Sequence, residues 1–183
     1  MQAVIYENPR AVLGRSSRTN VTGVEKTKRG LLMKLEGSTV INAPRSTAYG
    51  YLTDANFVGQ CAPGVERVEE LEPGKKFRVV VSVGFGIVKA TFNTDVEFVE
   101  KRENEYARIK AVGKAPGSGA NVGAELFFTD GEGGATELKW VADVLITGTI
   151  AIVANRLMAS VTQFMSKQFF DAARAKIEAA SKN

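Results

Sequence analysis

Histidine is missing from this 183-residue chain, and cysteine occurs once, at Cys61. Those two facts remove disulfides, His-dependent triads and acid–base pairs, and most zinc and haem sites. No apolar run reaches membrane-spanning length, because Thr, Gly, Lys or Asp interrupts the strongest stretches every few residues. A secretory signal would need an apolar core of ~7 to 15 residues. The longest uninterrupted candidate near the start is Ala11-Val12-Leu13. Excess charge is equally scarce beyond residue 32. The net charge of +4 is carried by Arg10, Arg15, Arg18, Lys26, Lys28 and Arg29 against Glu7 and Glu25, and the remainder is formally neutral. A basic groove for nucleic acid is therefore not expected, and neither a metal nor another cofactor is implied. A lone thiol is compatible with a reducing compartment, and the cytoplasm is the default expectation.

The length suits one domain large enough to bury its own core. Residues 1–32 show no sustained period of 2 or 3.6 and end in the basic stretch Lys26-Thr27-Lys28-Arg29-Gly30. They read as a basic N-terminal extension, either a solvated arm, a patch for anionic lipid, or the product of a start codon upstream of Met33. The domain proper is expected over 33–183. From Lys34 to Asn42 alternation predicts a strand. Ala43-Pro44 then opens a pair of short helices that ends at Cys61-Ala62-Pro63-Gly64, a stop followed by a turn.

After Gly64 the period is 2 for about eighty residues. Phe77, Val79, Val81 and Val83 form one inward series, and Ala90, Phe92, Val96 and Phe98 the next. Ala107, Ile109 and Ala111 follow, then Val122, Ala124, Leu126 and Phe128, and last Leu138, Trp140, Ala142, Val144 and Ile146. Turns at Glu72-Pro73-Gly74, Glu103-Asn104, Ala115-Pro116-Gly117 and Gly131 to Gly134 make these strands an antiparallel meander. Gly148 to Ser181 contains no proline and no further glycine. Its apolar stripe of Ile150, Ala154, Leu157, Val161, Phe164, Met165, Phe169 and Ala172 predicts a single helix, ~45 to 50 Å long. One amphipathic helix of that length is best buried by an antiparallel sheet that curls around it.

That order of elements resembles the helix-grip fold of the START/polyketide-cyclase (SRPBCC) superfamily, and within it the carbon monoxide dehydrogenase G-subunit family. The residues that carry the resemblance are Leu35-Glu36-Gly37, Ala43-Pro44-Arg45, Leu52-Thr53-Asp54, Cys61-Ala62-Pro63-Gly64, Val83-Gly84-Phe85-Gly86, the glycines from Gly113 to Gly123, Thr136-Glu137-Leu138 and Thr147-Gly148. The expected fold is α+β: a curved seven-stranded antiparallel sheet wrapped around a long C-terminal helix, with two short helices after the first strand. The resemblance also implies a small non-catalytic accessory protein with an apolar pocket. Its expected partners are a quinone-like or lipid-like molecule, a molybdenum-containing dehydrogenase and the inner face of a membrane.

The residues expected to contact that ligand are Phe57, Val83, Phe85, Phe92, Ile109, Leu126, Trp140, Leu157, Val161, Phe164 and Met165, with a loop near Phe57 or Phe85 gating entry. Space for it is suggested by small inward residues, Ala90, Ala107, Ala111, Ala124 and Ala142 on strands and Ala154 and Ser160 on the helix. The competing expectation is that the aromatics and Leu126 simply fill the core. Two other functions compete with the carrier: a docking or membrane-recruitment factor without ligand, and a cyclase- or hydrolase-like enzyme. Against the enzyme stand a cysteine without a base and the outward parity of Asp95, Glu97 and Asp143. The glycines from Gly113 to Gly123 lack the following helix and the Lys-Ser/Thr ending of a phosphate cradle. Lys167, Arg174 and Lys176, near Asp171 and Glu178, read as a solvated helix face.

Overall fold

The computed structural model describes residues 17–85, 88–154 and 157–182. Eight antiparallel strands form one open sheet in the order β1-β2-β8-β7-β6-β5-β4-β3. They are β1 (Arg18–Thr27), β2 (Gly30–Ile41), β3 (Val65–Glu72), β4 (Lys76–Phe85), β5 (Val88–Arg102), β6 (Tyr106–Ala115), β7 (Ser118–Asp130) and β8 (Thr136–Gly148). Helices α1 (Arg45–Leu52) and α2 (Ala55–Cys61) carry the chain from β2 to the far edge of the sheet. From there β3 to β8 return as a meander, and α3 (Thr149–Ala154) and α4 (Met158–Ala180) complete the chain.

The strands follow the alternation of the sequence, and the turns fall where glycine, proline and Asn104 were expected to place them. Asn104 has φ 61° and Gly117 φ 65°, left-handed values that suit these residue types in tight turns. Asp54 caps α2 by accepting from the backbone N–H groups of Asn56 (2.8 Å) and Phe57 (3.3 Å).

The sheet has eight strands rather than seven. The additional one is β1, which lies within the segment read as an extension, so the helix pair follows the second strand. The alternation of Thr19, Val21 and Gly23 is too weakly apolar to announce a strand; long-range pairing with β2 decides it. A polar tie at its start fastens it to α4. Ser17 donates to Asp171 Oδ1 at 3.0 Å, which uses its single proton, so Thr39, 3.1 Å away, donates to Ser17. Asp171 is also paired with Lys167 and Arg174. At the other end of α4, Lys176 donates to the Gln60 carbonyl (3.2 Å), and Glu178 accepts two bonds from Asn42 at 2.9 Å. The helix face read as solvated therefore docks the helix to β1, β2 and α2.

The C-terminal helix is divided, with α3 ending at Ala154 and α4 starting at Met158 behind a turn residue, Leu157. At 23 residues α4 is about 35 Å long. No proline or glycine marks the division. The β-branched residues Ile150, Ile152 and Val153 weaken helix propensity before it. Contacts with the β6–β7 hairpin set the direction of α3 independently: the Thr149 N–H bonds the Gly117 carbonyl at 3.0 Å, and the Ile150 N–H bonds Ser118 Oγ at 3.1 Å. The buried stripe of α4 runs through Val161, Met165, Phe169, Phe170, Ala173 and Ile177, and Phe164 lies off it, 61 % exposed. Six residues before Phe170 is roughly 240° around the helix, which points Phe164 away from the sheet.

Packing resolves into two clusters. The larger gathers Tyr49, Leu52, Phe77, Phe98, Leu126, Phe128, Leu138, Trp140, Phe170 and Ile177; the smaller gathers Leu31, Met33, Ala90, Phe92, Ile146 and Ile150. Replacing Ile177, which is 0 % exposed, by Ala should cost about 2–5 kcal/mol, whereas Phe164→Ala should stay within about 0.5 kcal/mol in urea unfolding. The Lys167 hydrogen bond, helped by Ser17 and Arg174 against the effect of burial, holds the Asp171 carboxyl below its ordinary range. A depressed folded-state value means that the ionised carboxylate stabilises the fold above its unfolded pKa, and that this contribution disappears as pH falls through the folded one. Asp171→Asn should therefore be less stable than the parent at pH 7, with the gap closing in unfolding curves taken below about pH 4.

Candidate ligand cavity between the sheet and the C-terminal helix

Strand register lines up the inward side chains in rows across the sheet. One row reads Val79, Thr94, Gly113, Ala120, Ile146, Leu31; the next reads Phe77, Val96, Ala111, Val122, Val144, Met33. Further along lie Phe98, Ile109, Ala124, Ala142 and Leu35, then Ala107, Leu126, Trp140, Gly37 and Thr19. At this second end large side chains reach the helix. Trp140 stacks on Phe170 with ring centroids 5.2 Å apart, in the space that Gly37 leaves beside it. At the first end the middle strands present only Gly113, Ala120, Ala111 and Val122, too short to meet α4.

The shortfall is a cavity of about 280 Å³. Its floor is those four residues with Val144 and Ile146, and its side wall is Val81, Val83, Phe92 and Met33. Val161, Thr162 and Met165 of α4 roof it. Among the described residues no charged side chain lines it, and the only polar side chains in its lining are those of Thr94 and Thr162.

Of the residues expected at a ligand, Val83, Phe92, Val161 and Met165 come together here. Ile109, Leu126 and Trp140 belong to the filled half. Phe57 packs against Tyr51, with ring centroids 4.7 Å apart, beside that same half. Leu157, in the turn before α4, and Phe164, on α4, are exposed. The side chains of Phe85 and Ala154 lie outside the described residues, as do residues 86–87 of the expected gate. Of the small inward residues, Ala111 lines the cavity, Ala107 is fully buried in the larger cluster, and Ser160 is exposed. Sequence reasoning did not place Met33, Thr94, Gly113, Ala120 or Thr162 at the ligand. The signal for three of them was the hairpin at Pro116-Gly117, whose register sets Gly113 opposite Ala120 and beside Thr94.

The remaining reactive groups point elsewhere. Asp95 pairs with Arg78 at 2.9 Å on the outer face, and that hydrogen bond lowers its pKa. Asp143 pairs with Lys34 at 3.2 Å, also outside. Cys61 is buried at the end of α2, and desolvation raises its thiol pKa despite Lys176 nearby. Among the described residues, no three His, Cys, Asp or Glu side chains gather as a metal site, and no helix is long and apolar enough to cross a membrane.

A large antiparallel sheet, a helix pair leading to its far edge and a long C-terminal helix over a small-residue floor define a helix-grip protein of the SRPBCC kind. The structural comparisons agree on that fold. A conserved protein from Geobacillus kaustophilus superposes with a TM-score of 0.73 at 16 % identity, over 79 % of this chain and 95 % of that one. The aromatase/cyclase ZhuI from Streptomyces sp. R1128 gives a TM-score of 0.61 at 18 % identity, over 80 % and 94 %. The di-domain aromatase/cyclase StfQ of the steffimycin biosynthetic pathway gives 0.60 at 17 % identity, over 83 % of this chain and 52 % of that one. No curated protein matches in sequence. Residues 37–178 match the carbon monoxide dehydrogenase G-subunit (CoxG) family, and the chain belongs to it.

With its thiol buried and its pKa raised, Cys61 should react with an aromatic disulfide reagent at least tenfold more slowly in the native chain than in urea-unfolded protein. Equal rates would reopen it as a nucleophile.

Proposed function

We propose that this chain is a non-catalytic carrier of an apolar small molecule, lipid-like or quinone-like, accessory to a carbon monoxide dehydrogenase or a related molybdenum hydroxylase. The observation that carries the reading is the cavity of about 280 Å³, lined among the described residues by no charged side chain. An apolar cavity of ~150 Å³ already binds benzene. This one is nearly twice that, enough for a ring system or a chain of roughly ten carbons but not for a long polyprenyl tail. Family membership supports the accessory role. The same fold in two aromatase/cyclases keeps an enzymatic reading in view, but among the described residues the lining offers two threonines and no group that would exchange a proton near neutral pH.

A second reading, docking without cargo, is favoured by a separate observation. Ile152, Leu157 and Phe164 are 81 %, 41 % and 61 % exposed on α3, the turn and α4. Apolar side chains so exposed on neighbouring segments suit contact with the partner enzyme or with a membrane surface.

Native mass spectrometry of the purified protein, followed by solvent extraction, separates the two. The carrier reading expects a stoichiometric apolar molecule and a melting temperature raised by added quinones or lipids. It also expects both effects to vanish in Ala111→Leu, a variant that fills the floor and retains the parent's circular dichroism. A bare mass with no thermal shift would leave docking as the function.

A further inference from the structure

The cavity carries a polar anchor, and Gly113 is what keeps it open. Thr94 and Gly113 are register partners on β5 and β6, so their inner faces adjoin. A Cβ at position 113 would stand 2.9 Å from Thr94 Oγ1 and 3.3 Å from Phe92 Cδ1, closer than ordinary packing allows. The bare glycine thus leaves the Thr94 hydroxyl facing the cavity rather than covered by a methyl group. Thr162 lines the cavity from the helix side. Among the described residues neither hydroxyl has a hydrogen-bond partner, although each can both donate and accept. Neither is sealed off in the protein, so a hydroxyl that faces the cavity is within reach of a ligand oxygen.

We infer that the cavity selects a neutral apolar molecule bearing a carbonyl or hydroxyl oxygen, held by Thr94 and Thr162, and rejects carboxylates and other ions. The selection has two physical parts. A hydroxyl satisfies a ketone or alcohol fully, so such a ligand gains over the plain hydrocarbon. An ion would enter a space in which no described residue offers an opposite charge, and two hydroxyls do not replace its hydration shell. This inference rests on the carrier reading of the same cavity.

The test uses the full-length protein and a matched series on one eleven-carbon chain: undecane, 2-undecanone, 1-undecanol and undecanoate, each measured by displacement of a fluorescent apolar probe. The ketone and alcohol should bind roughly 3–10-fold more tightly than undecane, the yield of one or two net hydrogen bonds. Undecanoate at pH 8 should bind at least tenfold more weakly than the ketone. Thr94→Val, nearly isosteric, should remove most of the ketone's advantage and leave undecane unchanged, whereas Thr94→Ser should retain it. Gly113→Ala should behave as Thr94→Val does, because its methyl group covers the hydroxyl; should it fail to fold, the Val and Ser pair still decides. Equal binding across the series, preferred binding of undecanoate, or a Thr94→Val variant with an undiminished ketone preference would overturn the inference while leaving the carrier reading intact. Failure of the probe and of all four compounds to bind would instead remove the carrier reading, and the inference with it.

Discussion

Everything in this molecule depends on burying one side of α4 against the concave face of the sheet. Ile177 and Ala173 are almost completely inaccessible, and Phe170 lies flat on Trp140, so the C-terminal half of the helix is fixed by close packing. Dense interiors tolerate little displacement. The N-terminal half of the same helix is therefore held over the sheet at a height set elsewhere. Wherever the sheet side chains are too short to span that height, space remains.

Cavity and core are thus two outcomes of one geometry. Leu126 and Trp140 close the gap at one end, and Gly113, Ala120, Ala111 and Val122 leave it open at the other. The polar ties serve the same purpose from outside. Ser17 and Asp171 hold the helix to the start of β1, and Glu178 and Lys176 hold it to β2 and α2, with their hydrogen-bonding partners at distances of 2.9 to 3.2 Å. Such contacts are individually worth little at a surface, but they act at fixed points along α4 and so oppose its sinking into the cavity.

The apolar side chains of Ile152, Leu157 and Phe164 on either side of the α3–α4 junction are exposed. They have no part in holding the sheet, and their exposure is not a product of the packing that opens the cavity. The proposed carrier and docking roles would therefore use different side chains of the C-terminal segment, and they are compatible within one protein.

Periodicity alone specified most of the architecture. Strict alternation through β4 to β8, turn residues at each hairpin and a proline-free C-terminal segment were enough for an antiparallel sheet gripping a helix, because local pattern and global fold agree there. The strand β1, the division between α3 and α4, and the outward direction of Phe164 were decided by tertiary contacts. A weakly apolar segment becomes a strand only when β2 offers it a partner. The β6–β7 hairpin holds the first residues of α3, and 3.6-residue spacing read as one helix cannot fix the phase of a stripe across two. The cavity, too, was tertiary. Alternation marks small inward residues one strand at a time, but which of them lie side by side, and that they fall under the part of the helix held off the sheet, follows only from register between strands distant in the chain.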